Sequence, residues 1–264
     1  MRARLLCWNV AGRVSRLSEQ AHLIVRAATD LVCLQEVTRT TAGPWRDLLR
    51  AGGYEHVEIA EARVRDDGRK ALRTLTAARS ALSVIEVPGL PWPERVLAVD
   101  IDGLELVNFH SPISTTPRLA KVRAHEALHD HLAAGSGPRA VCGDFNTPRR
   151  EHPDGTVWTF ARTRSGKLRQ ERGERHDRAE LALLKGLEPC GFRDAFRALY
   201  GYGVRELSWQ WQGSGGGYRL DHLIASEGVS VSEVSYLHPW RHAGLSDHSP
   251  LFARLSWDPG ASRV

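Results

Sequence analysis

Short apolar runs alternate with helix-like patterns along the chain. Most of the runs have the length of a β-strand, and apolar residues recur at helical spacing between some of them. This alternation predicts a mixed α/β fold. The predicted strands cover residues 4–10, 31–37, 96–101, 104–110, 139–145, 218–226 and 249–257.

Helix and turn signals fall between these strands. Thr116-Pro117 is typical of a helix start, since threonine caps the first turn and proline fits inside it. Asp102-Gly103 separates two strands and predicts a hairpin, because glycine accepts the positive φ of a tight turn. No repeat, linker or shift in composition divides the chain, so we expect residues 1–264 to form a single domain. The predicted helices cover residues 16–30, 116–134 and 178–190.

Charge adds a preference for an anionic partner. The chain has 264 residues and a net charge of +5, which favours nucleic acid. Part of the excess lies in residues 149–178, where nine Lys and Arg residues stand against five acids. This segment is either a solvated loop or a surface that contacts a phosphate backbone.

The cysteines and the lack of long apolar stretches indicate the compartment. Cys7, Cys33 and Cys142 lie in apolar runs and no cysteines form a CxxC pair, so we expect buried, reduced thiols. No stretch approaches the length of a membrane span, and the N-terminus lacks the layout of a signal peptide. We therefore expect a cytoplasmic protein with no membrane partner.

Polar residues that can bind a metal or a phosphate follow six of the apolar runs. One such residue is ordinary, but six groups with oxygen or nitrogen donors suggest convergence on one pocket. In AVCGDFNTP, Asp144 and Asn146 are two residues apart, so a strand would direct both side chains to the same face. The set comprises Asn9, Glu36, His110, Asp144 with Asn146, Asp221, and Asp247 with His248.

These residue types suit the hydrolysis of a phosphodiester. Carboxylates and amides are hard oxygen ligands that Mg²⁺ or Mn²⁺ prefers, and such a metal polarises phosphoryl oxygens. His248, paired with Asp221 or Asp247, can handle a proton near neutral pH. Asp144 can orient the attacking water, with Asn146 fixing the carboxylate or the phosphate.

Residues 125–129, HEALH, fit a different pattern, the HExxH sequence of zinc proteases. Two histidines four residues apart share a helix face and can bind zinc, with Glu126 as the base. However, His125 and His129 lie between apolar Val122 and Leu132, and no third ligand follows in a recognisable motif. We therefore expect a packing role for this segment.

Six motifs occur in a fixed order: CWNVAG, LQEV, NFHSP, GDFNTP, SWQWQG with RLDHLIAS, and LSDHSPL. The ordered set spans residues 5–255 and resembles the endonuclease/exonuclease/phosphatase superfamily, nearest to its exonuclease III-type and deoxyribonuclease-like nucleases. The resemblance implies a four-layer α/β sandwich, with two mixed β-sheets packed face to face and helices on the outside. It also implies a site at one end of the sheets.

The resemblance further implies roles for the residues at the strand ends. Glu36 is similar in position to the main metal ligand, with Asn9 beside it and Asp247 completing the metal site. Asp144 and Asn146 resemble the pair that orients the nucleophile. The implied catalytic histidines and carboxylate partner are His248, His110 and Asp221.

Signals for the substrate conflict within the superfamily. Trp209 and Trp211 lie in a segment similar to the Trp-containing loop of exonuclease III-type abasic-site endonucleases, where a ring can stack on a base. Arg149 and Arg150 open the basic segment, and we expect both to contact substrate. That family, however, normally has an aromatic-X-Pro-Asn motif where this chain has FHSP.

We therefore predict a divalent-metal-dependent phosphodiesterase that uses Mg²⁺ or Mn²⁺ and acts on nucleic acid, on DNA more than RNA. We expect a monomeric DNA nuclease of the repair or processing kind. The alternative is a phosphatase or phospholipase-like enzyme for small or lipid phosphates, because the same catalytic core serves both. A non-catalytic nucleic-acid-binding module is a third possibility, although the intact set of acids and histidines favours an enzyme.

Overall fold

The structure, a computed structural model, describes residues 1–62, 71–116, 119–211 and 216–260. Two six-stranded sheets pack face to face, and each contains both parallel and antiparallel neighbours. Helices cover the outer face of each sheet, which gives four layers. The predicted four-layer α/β sandwich is therefore confirmed.

The described residues form sixteen strands, four of which make two short ribbons. In chain order they are β1 (Arg2–Asn9), β2 (Leu31–Val37), β3 (His56–Ile59), β4 (Arg73–Ala78), β5 (Ser83–Ile85), β6 (Val96–Ile101), β7 (Leu104–His110), β8 (Arg139–Asp144), β9 (Arg150–Glu151), β10 (Val157–Trp158), β11 (Phe192–Asp194), β12 (Trp209–Gln210), β13 (Gly217–Tyr218), β14 (Asp221–Ser226), β15 (Val229–Tyr236) and β16 (Leu251–Trp257). The first sheet has the order β15-β16-β1-β2-β4-β3, and the second has the order β11-β14-β8-β7-β6-β5.

Six α-helices lie in the described part of the chain: α1 (Leu17–Ala27), α2 (Arg39–Ala51), α3 (Ala120–Ala134), α4 (Gly173–Leu181), α5 (Ala195–Tyr200) and α6 (His238–His242). Ile24 of α1 and Trp45 of α2 pack on the first sheet. Leu128 and Leu132 of α3 pack on the second. Among these described helices, none has the length and apolar character needed to cross a membrane.

Alternation along the strands divides the core into layers. In β1, Cys7 enters the core between the sheets, whereas Trp8 faces α1 and α2. Cys33 and Cys142 are buried in the same inter-sheet core, as their apolar surroundings predicted. A polar residue that continues such an inward series at the end of a strand therefore lies at the edge of the space between the sheets.

Two turn predictions had different outcomes. The hairpin between β6 and β7 is confirmed, and both Asp102 and Gly103 have positive φ, at 52° and 78°. The helix start proposed at Thr116-Pro117 includes Pro117, which lies outside the described residues. The helix itself begins only at Ala120, after Leu119 in a left-handed conformation with φ 54°, so the prediction that Thr116 caps its first turn was wrong.

One predicted helix is shorter and less regular than its pattern indicated. Residues 178–190 do not form one α-helix: α4 has already begun at Gly173 and ends at Leu181. Residues 182–186 form a π-helical turn, and residues 188–190 form a 3₁₀ turn. Pro189 has no N–H to donate, so the α-helical ladder cannot continue through this end.

Candidate active site

Three of the predicted residues form a row across adjacent strands of the second sheet. In the pairing of β7, β8 and β14, His110 lies opposite Asp144, and Asp144 lies opposite Asp221. Each of the three continues the inward series of its strand, so all are directed between the sheets. β7 and β8 are parallel and end at the same edge, while antiparallel β14 begins there. The row therefore follows from strand alternation and topology together.

The close approach of two neighbouring strands explains why a glycine, Gly143, precedes Asp144. Its φ is +142°, and a Cβ at this position would collide with the carbonyl oxygen of Phe109 on β7. Only glycine allows this close approach of the two backbones. The residue thus helps to set Asp144 beside His110.

His248 reaches the row from the loop before β16. Its Nδ1 lies 2.9 Å from Asp221 Oδ2, and its Nε2 lies 3.8 Å from Asp144 Oδ2. The indole N–H of Trp8 donates to the His248 carbonyl oxygen, and Ser246 Oγ accepts the His248 backbone N–H. We call Asp144, Asp221 and His248 the acid–histidine cluster; all three are buried.

The acid–histidine cluster carries more negative charge than its neighbours neutralise. Burial and the Asp221 carboxylate raise the pKa of Asp144 to about 7, although His248 acts in the opposite direction. Burial alone would lower the pKa of His248, but Asp221 and Asp144 outweigh it and raise that pKa to about 10. Asp221 Oδ1 is buried without a hydrogen-bond partner among the described residues. The cluster is therefore suited to a further cation.

Glu36 reaches the cleft because the backbone of β2 is irregular at this point. The residue has φ +63°, and the pairing of β2 with β4 shifts register between Leu34 and Val37. A non-glycine residue in this left-handed region is uncommon and costs about 1 kcal/mol or more. The left-handed conformation redirects the Glu36 side chain from the position that strand alternation would give it. Its partly exposed carboxylate therefore lies 3.7 Å from His110 Nε2.

Asn9 links Glu36 to the acid–histidine cluster. Its Nδ2 donates to Glu36 Oε1 at 3.1 Å and to Asp144 Oδ2 at 3.0 Å. Its Oδ1 accepts the backbone N–H of Ala11, which fixes the orientation of the amide. The Asn9 nitrogen therefore lies between the Glu36 and Asp144 carboxylates and bridges them. The role of Asn9 as a direct metal ligand stays a prediction.

Asn146 lies beside Asp144 after the strand has ended. With φ +49°, its backbone N–H turns back to donate to Asp144 Oδ1 at 2.9 Å, and its Nδ2 donates to the Ser111 carbonyl oxygen. Its own carbonyl oxygen accepts from the buried Lys121 ammonium at 2.7 Å. Asp144 and Asn146 thus lie together, as their spacing of two residues predicted. However, a left-handed turn brings them together, because the strand has already ended at Asp144.

Arg95 stands beside His110 and was missed in the sequence. Its Nη1 lies 3.3 Å from both His110 ring nitrogens. Burial, helped by the charges of Arg95 and His248, lowers the pKa of His110 well below its usual value. A signal for Arg95 was available, because the hairpin at Asp102 pairs Val96 with Phe109 and so brings the preceding residue opposite His110.

Asp247 and the two tryptophans lie on the other side of His248. Trp209 Nε1 donates to Asp247 Oδ2 at 2.9 Å, so this ring positions a predicted metal ligand. Trp209 also stacks in parallel on Tyr218, with 5.9 Å between ring centroids. Trp211 is 42% exposed and contacts both rings edge-on, outside the lining of the cleft.

An open cleft of about 720 Å³ collects these groups, and we call it the central cleft. Its floor carries the acids and histidines, while Asn9 and Asp221 lie just behind the lining. Arg149, Arg169 and Arg172 stand on its wall, and Arg149 lies over the ring of Phe160 at 5.1 Å. Arg150 does not line it. The predicted residues that line it are Glu36, His110, Asp144, Asn146, Arg149, Trp209, Asp247 and His248.

The donor set fits a divalent metal. Asp144, Asp221 and His248 offer ligand atoms that lie within 4.8 Å of one another, the one such group found among the described residues, although His248 can act as a ligand only after it loses the proton that its raised pKa retains. Glu36 and Asp247 add carboxylates to the same cleft. Hard oxygen donors of this kind suit Mg²⁺ or Mn²⁺.

The HEALH segment does not form a second metal site. His125 is buried on α3, where Ser111 Oγ lies 2.8 Å from its Nε2 and burial lowers its pKa to about 3. Glu126 instead forms an ion pair with Arg175. His129 lies near Asp130. The three side chains therefore have separate partners, which agrees with the expected packing role.

A family model described as the Endonuclease/Exonuclease/phosphatase family matches residues 6–248. The chain belongs to this family. Its members are hydrolytic phosphoesterases, so the acids and histidines of the central cleft lie in a phosphoesterase fold. A search of curated proteins finds none that matches.

Solved structures share the fold of this family member. An AP endonuclease from Archaeoglobus fulgidus has a TM-score of 0.74 and 19% identity, covering 97% of this chain and 99% of that chain. An endonuclease/exonuclease/phosphatase from Beutenbergia cavernae has a TM-score of 0.69 and 17% identity, covering 97% and 72%. The 3′ phosphatase NExo from Neisseria, bound to a product DNA hairpin, has a TM-score of 0.67 and 18% identity, covering 97% and 99%.

Proposed function

We propose that this protein is a divalent-metal-dependent phosphodiesterase that hydrolyses DNA, in the manner of a repair or processing nuclease. The observation that carries the proposal is the buried acid–histidine cluster, of which Asp144 and His248 line a cleft that arginines also line. Nucleic-acid backbones are polyanions, so a basic wall beside hard metal ligands matches both parts of such a substrate.

Glu36 and Asp247 are the proposed metal ligands, with Asn9 beside Glu36. When bound, a divalent metal supplies Lewis-acid polarisation of the phosphoryl oxygens. Asn9 holds the Glu36 and Asp144 carboxylates close through its two N–H donors.

Asp144 and His248 have complementary proton roles in this proposal. Asp144 accepts hydrogen bonds from the Asn146 N–H and the Asn9 amide, which aim its carboxylate toward an attacking water. The raised pKa of about 10 keeps a proton on His248, which can donate from Nε2 to a phosphoryl oxygen. Each such group typically contributes 10²- to 10⁴-fold to the rate.

His110 complements His248 in charge. Its lowered pKa keeps the ring neutral at pH 7, while Arg95 beside it supplies the positive charge. Two histidines with opposite protonation states can therefore contact one phosphate without adding two charges. In the proposed reaction water attacks phosphorus in line, and the 3′ oxygen leaves.

The preference for DNA rests on the wall of the cleft and on related folds. Trp209 and Tyr218 offer stacked rings beside the acids, where a base or sugar can pack. The AP endonuclease and the DNA-bound 3′ phosphatase described above have the same fold. We further propose a single catalytic domain, since both sheets contribute residues to the one site. We also propose that it acts as a monomer in the cytoplasm.

A phosphatase or phospholipase-like activity on small or lipid phosphates is a second candidate. Leu72, Trp92 and Ile113 give part of the central cleft an apolar lining, and Ile113 is 54% exposed. Such a surface suits an acyl chain or an aromatic leaving group. The two candidates differ in salt dependence, because only binding of a long polyanion weakens steeply as salt rises.

A panel assay separates these activities. Wild-type protein with Mg²⁺ or Mn²⁺ is compared on single-stranded, duplex and abasic DNA, on RNA, on a generic bis-phosphodiester and on a lipid phosphate. We expect the highest kcat/KM on one of the DNA substrates, with strong salt dependence. A preference for the lipid or small substrate, insensitive to salt, would contradict the nuclease proposal.

A further inference from the structure

A second groove opens beside the central cleft, and we call it the side groove. It has a volume of about 440 Å³ and is lined by residues 148–151, 202–207 and 217–219, together with Pro153 and Arg197. Arg149 and Tyr218 line both the side groove and the central cleft. A substrate strand can therefore pass from one to the other over these two side chains.

The acids of the side groove already have cationic partners. Glu151 accepts hydrogen bonds from Arg197 at 3.0 and 2.8 Å and from Arg219 at 2.9 and 2.6 Å. Glu206 lies 3.1 Å from His238 and also accepts the Leu207 N–H. Burial lowers the pKa of His238, so the cation that interacts with Glu206 is Arg241 and not this histidine.

Two exposed arginines of the side groove, Arg150 and Arg205, have no ion pair with any described residue. Arg150 lies over the ring of Trp158 at 5.8 Å, which leaves its charge uncompensated. At the junction, the Nε of Arg149 is buried and has no hydrogen-bond partner among the described residues. Three arginines thus extend positive charge from the central cleft along the side groove.

Apart from Tyr218 at the junction, the described lining of the side groove offers charge but no uncovered aromatic ring. The ring of Tyr202 is already covered by Lys185 at 4.5 Å and by Arg197 at 5.1 Å. Recognition of a base face is therefore less favoured there than recognition of a phosphate. Contacts of this kind fix the register of a strand but read no sequence.

We propose that the side groove binds the sugar–phosphate backbone of the substrate strand beyond the scissile phosphate, through Arg150 and Arg205. This inference rests on the proposed function, because it takes the substrate to be a nucleic-acid strand. It makes strand length a determinant of affinity. Short phosphodiesters reach only the central cleft, whereas longer strands also occupy the side groove.

The test compares two double variants with the same change in charge. Arg150→Gln/Arg205→Gln removes both groove charges, and Arg26→Gln/Arg50→Gln removes two exposed charges from the outer helices. Binding of a fluorescein-labelled 20-nucleotide single strand is followed by anisotropy over a range of salt concentrations. Hydrolysis of the same strand and of bis(p-nitrophenyl) phosphate is measured with Mg²⁺.

We expect the groove variant to weaken strand binding roughly tenfold or more at 0.1 M salt, relative to the control variant. Each single-strand phosphate contact contributes about 0.7 to the slope of log affinity against log salt, so the slope should fall by about 1.4. The KM for the strand should rise at least tenfold more than the KM for the small phosphodiester.

Equal binding and equal salt slopes in the two double variants would overturn the inference, while cleavage by wild type would keep the proposed function intact. An equal loss on both substrates would also overturn it, because the arginines would then act on the central cleft. Selective loss of strand binding in a protein that cleaves neither substrate would support the groove and contradict the proposed function.

Discussion

Two buried charge clusters lie on opposite sides of β14, and adjacent residues of that strand belong to different ones. Asp221 points between the sheets into the acid–histidine cluster. His222 points the other way, with its Nδ1 3.1 Å from Asp194. The second group, which we call the arginine cluster, comprises Glu151, Asp194, Arg197, Arg219 and His222.

The two clusters use similar carboxylates but different donors. In the arginine cluster guanidinium groups contact Glu151 and Asp194, and the pKa of Glu151, despite burial, is lowered to about 2 chiefly by Arg219. In the central cleft the donors to Asp144 and Asp247 are backbone, amide and indole N–H groups. These neutral donors orient a carboxylate without cancelling its charge, and in the acid–histidine cluster one cation, His248, stands against the two carboxylates of Asp144 and Asp221.

The difference separates a structural cluster from a functional one. Removing one partner of a fully matched buried ion pair leaves an uncompensated charge and strongly destabilises the fold. Buried acids whose charge is left uncompensated cost stability, and such strongly perturbed groups concentrate at sites of chemistry. The contrast predicts that equivalent substitutions in the two clusters have opposite consequences.

The largest expected effect is on activity in Asp144→Asn. The amide keeps the shape but loses the charge that aims and deprotonates water, so kcat should fall on the order of 10⁴-fold. The free energy of unfolding in the absence of metal should stay constant or rise, since an uncompensated buried charge is removed. Steady-state hydrolysis and urea unfolding measure the two quantities. A variant that loses stability along with activity would place Asp144 with the structural acids.

The matched substitution, Asp194→Asn, should mainly affect stability. It leaves Arg197 and Arg219 to share the single Glu151 carboxylate, so one buried positive charge is unmatched, which costs roughly 3 to 5 kcal/mol of unfolding free energy. Asparagine still caps α5 as Asp194 does, so the cost reports the lost charge. Urea unfolding gives the cost, and activity per folded molecule at low temperature should stay within severalfold of wild type. A loss of activity without a loss of stability would remove the distinction.

The pH dependence of stability should differ in sign between the clusters. The pKa of Asp144 is about 7 in the folded, metal-free protein against 3.8 ordinarily, so its stabilising contribution is full below about pH 4. That contribution is lost as the pH rises through 7, by on the order of 1 kcal/mol per pH unit. Glu151 behaves oppositely, because its pKa of about 2 makes its contribution present above pH 4.5 and lost on acidification.

Urea unfolding in EDTA at several pH values tests this sign. The stability of wild type relative to Asp144→Asn should decrease between pH 4.5 and 7. Parallel curves for the two proteins would indicate that the Asp144 carboxyl titrates as an ordinary exposed acid.

The smallest expected effect concerns a single neutral donor. Trp209→Phe keeps the aromatic ring but removes the N–H that holds Asp247, a loss of about 1 kcal/mol or a fivefold decrease in kcat/KM. Trp211→Phe is the control, because this ring is exposed and lies outside the cleft lining. Equal effects in the two variants would mean that ring packing, and not the hydrogen bond, matters.

Strand alternation made much of the site predictable. Cys142 and Asp144 share a face, as do Leu223 and Asp221, so a reader of the sequence can place both acids at one edge. The register of the β6–β7 hairpin follows equally from Asp102-Gly103. In each case the relevant spacing is local and short.

Long-range geometry explains what the sequence could not supply. Glu36 enters the cleft only through a left-handed residue and a register shift, which no periodicity encodes. The helix α2 was not predicted because Gly43-Pro44 lies inside it, although Thr38 and Thr41 form a capping box. The arginine cluster and the side groove are each formed by segments that are distant in sequence. The sequence prediction therefore grouped Arg150 with Arg149 only because both lie in one basic segment, whereas Arg150 lines the side groove and not the central cleft.

The most direct test of the account is whether phosphodiester hydrolysis requires both a divalent metal and the acid–histidine cluster. Cleavage of a labelled DNA oligonucleotide is measured for wild type and for His248→Ala in EDTA, and again after Mg²⁺ or Mn²⁺ is restored. We predict that wild type is inactive in EDTA and recovers with metal, whereas His248→Ala stays inactive while remaining folded. Undiminished cleavage in EDTA, or full activity of His248→Ala, would contradict the account.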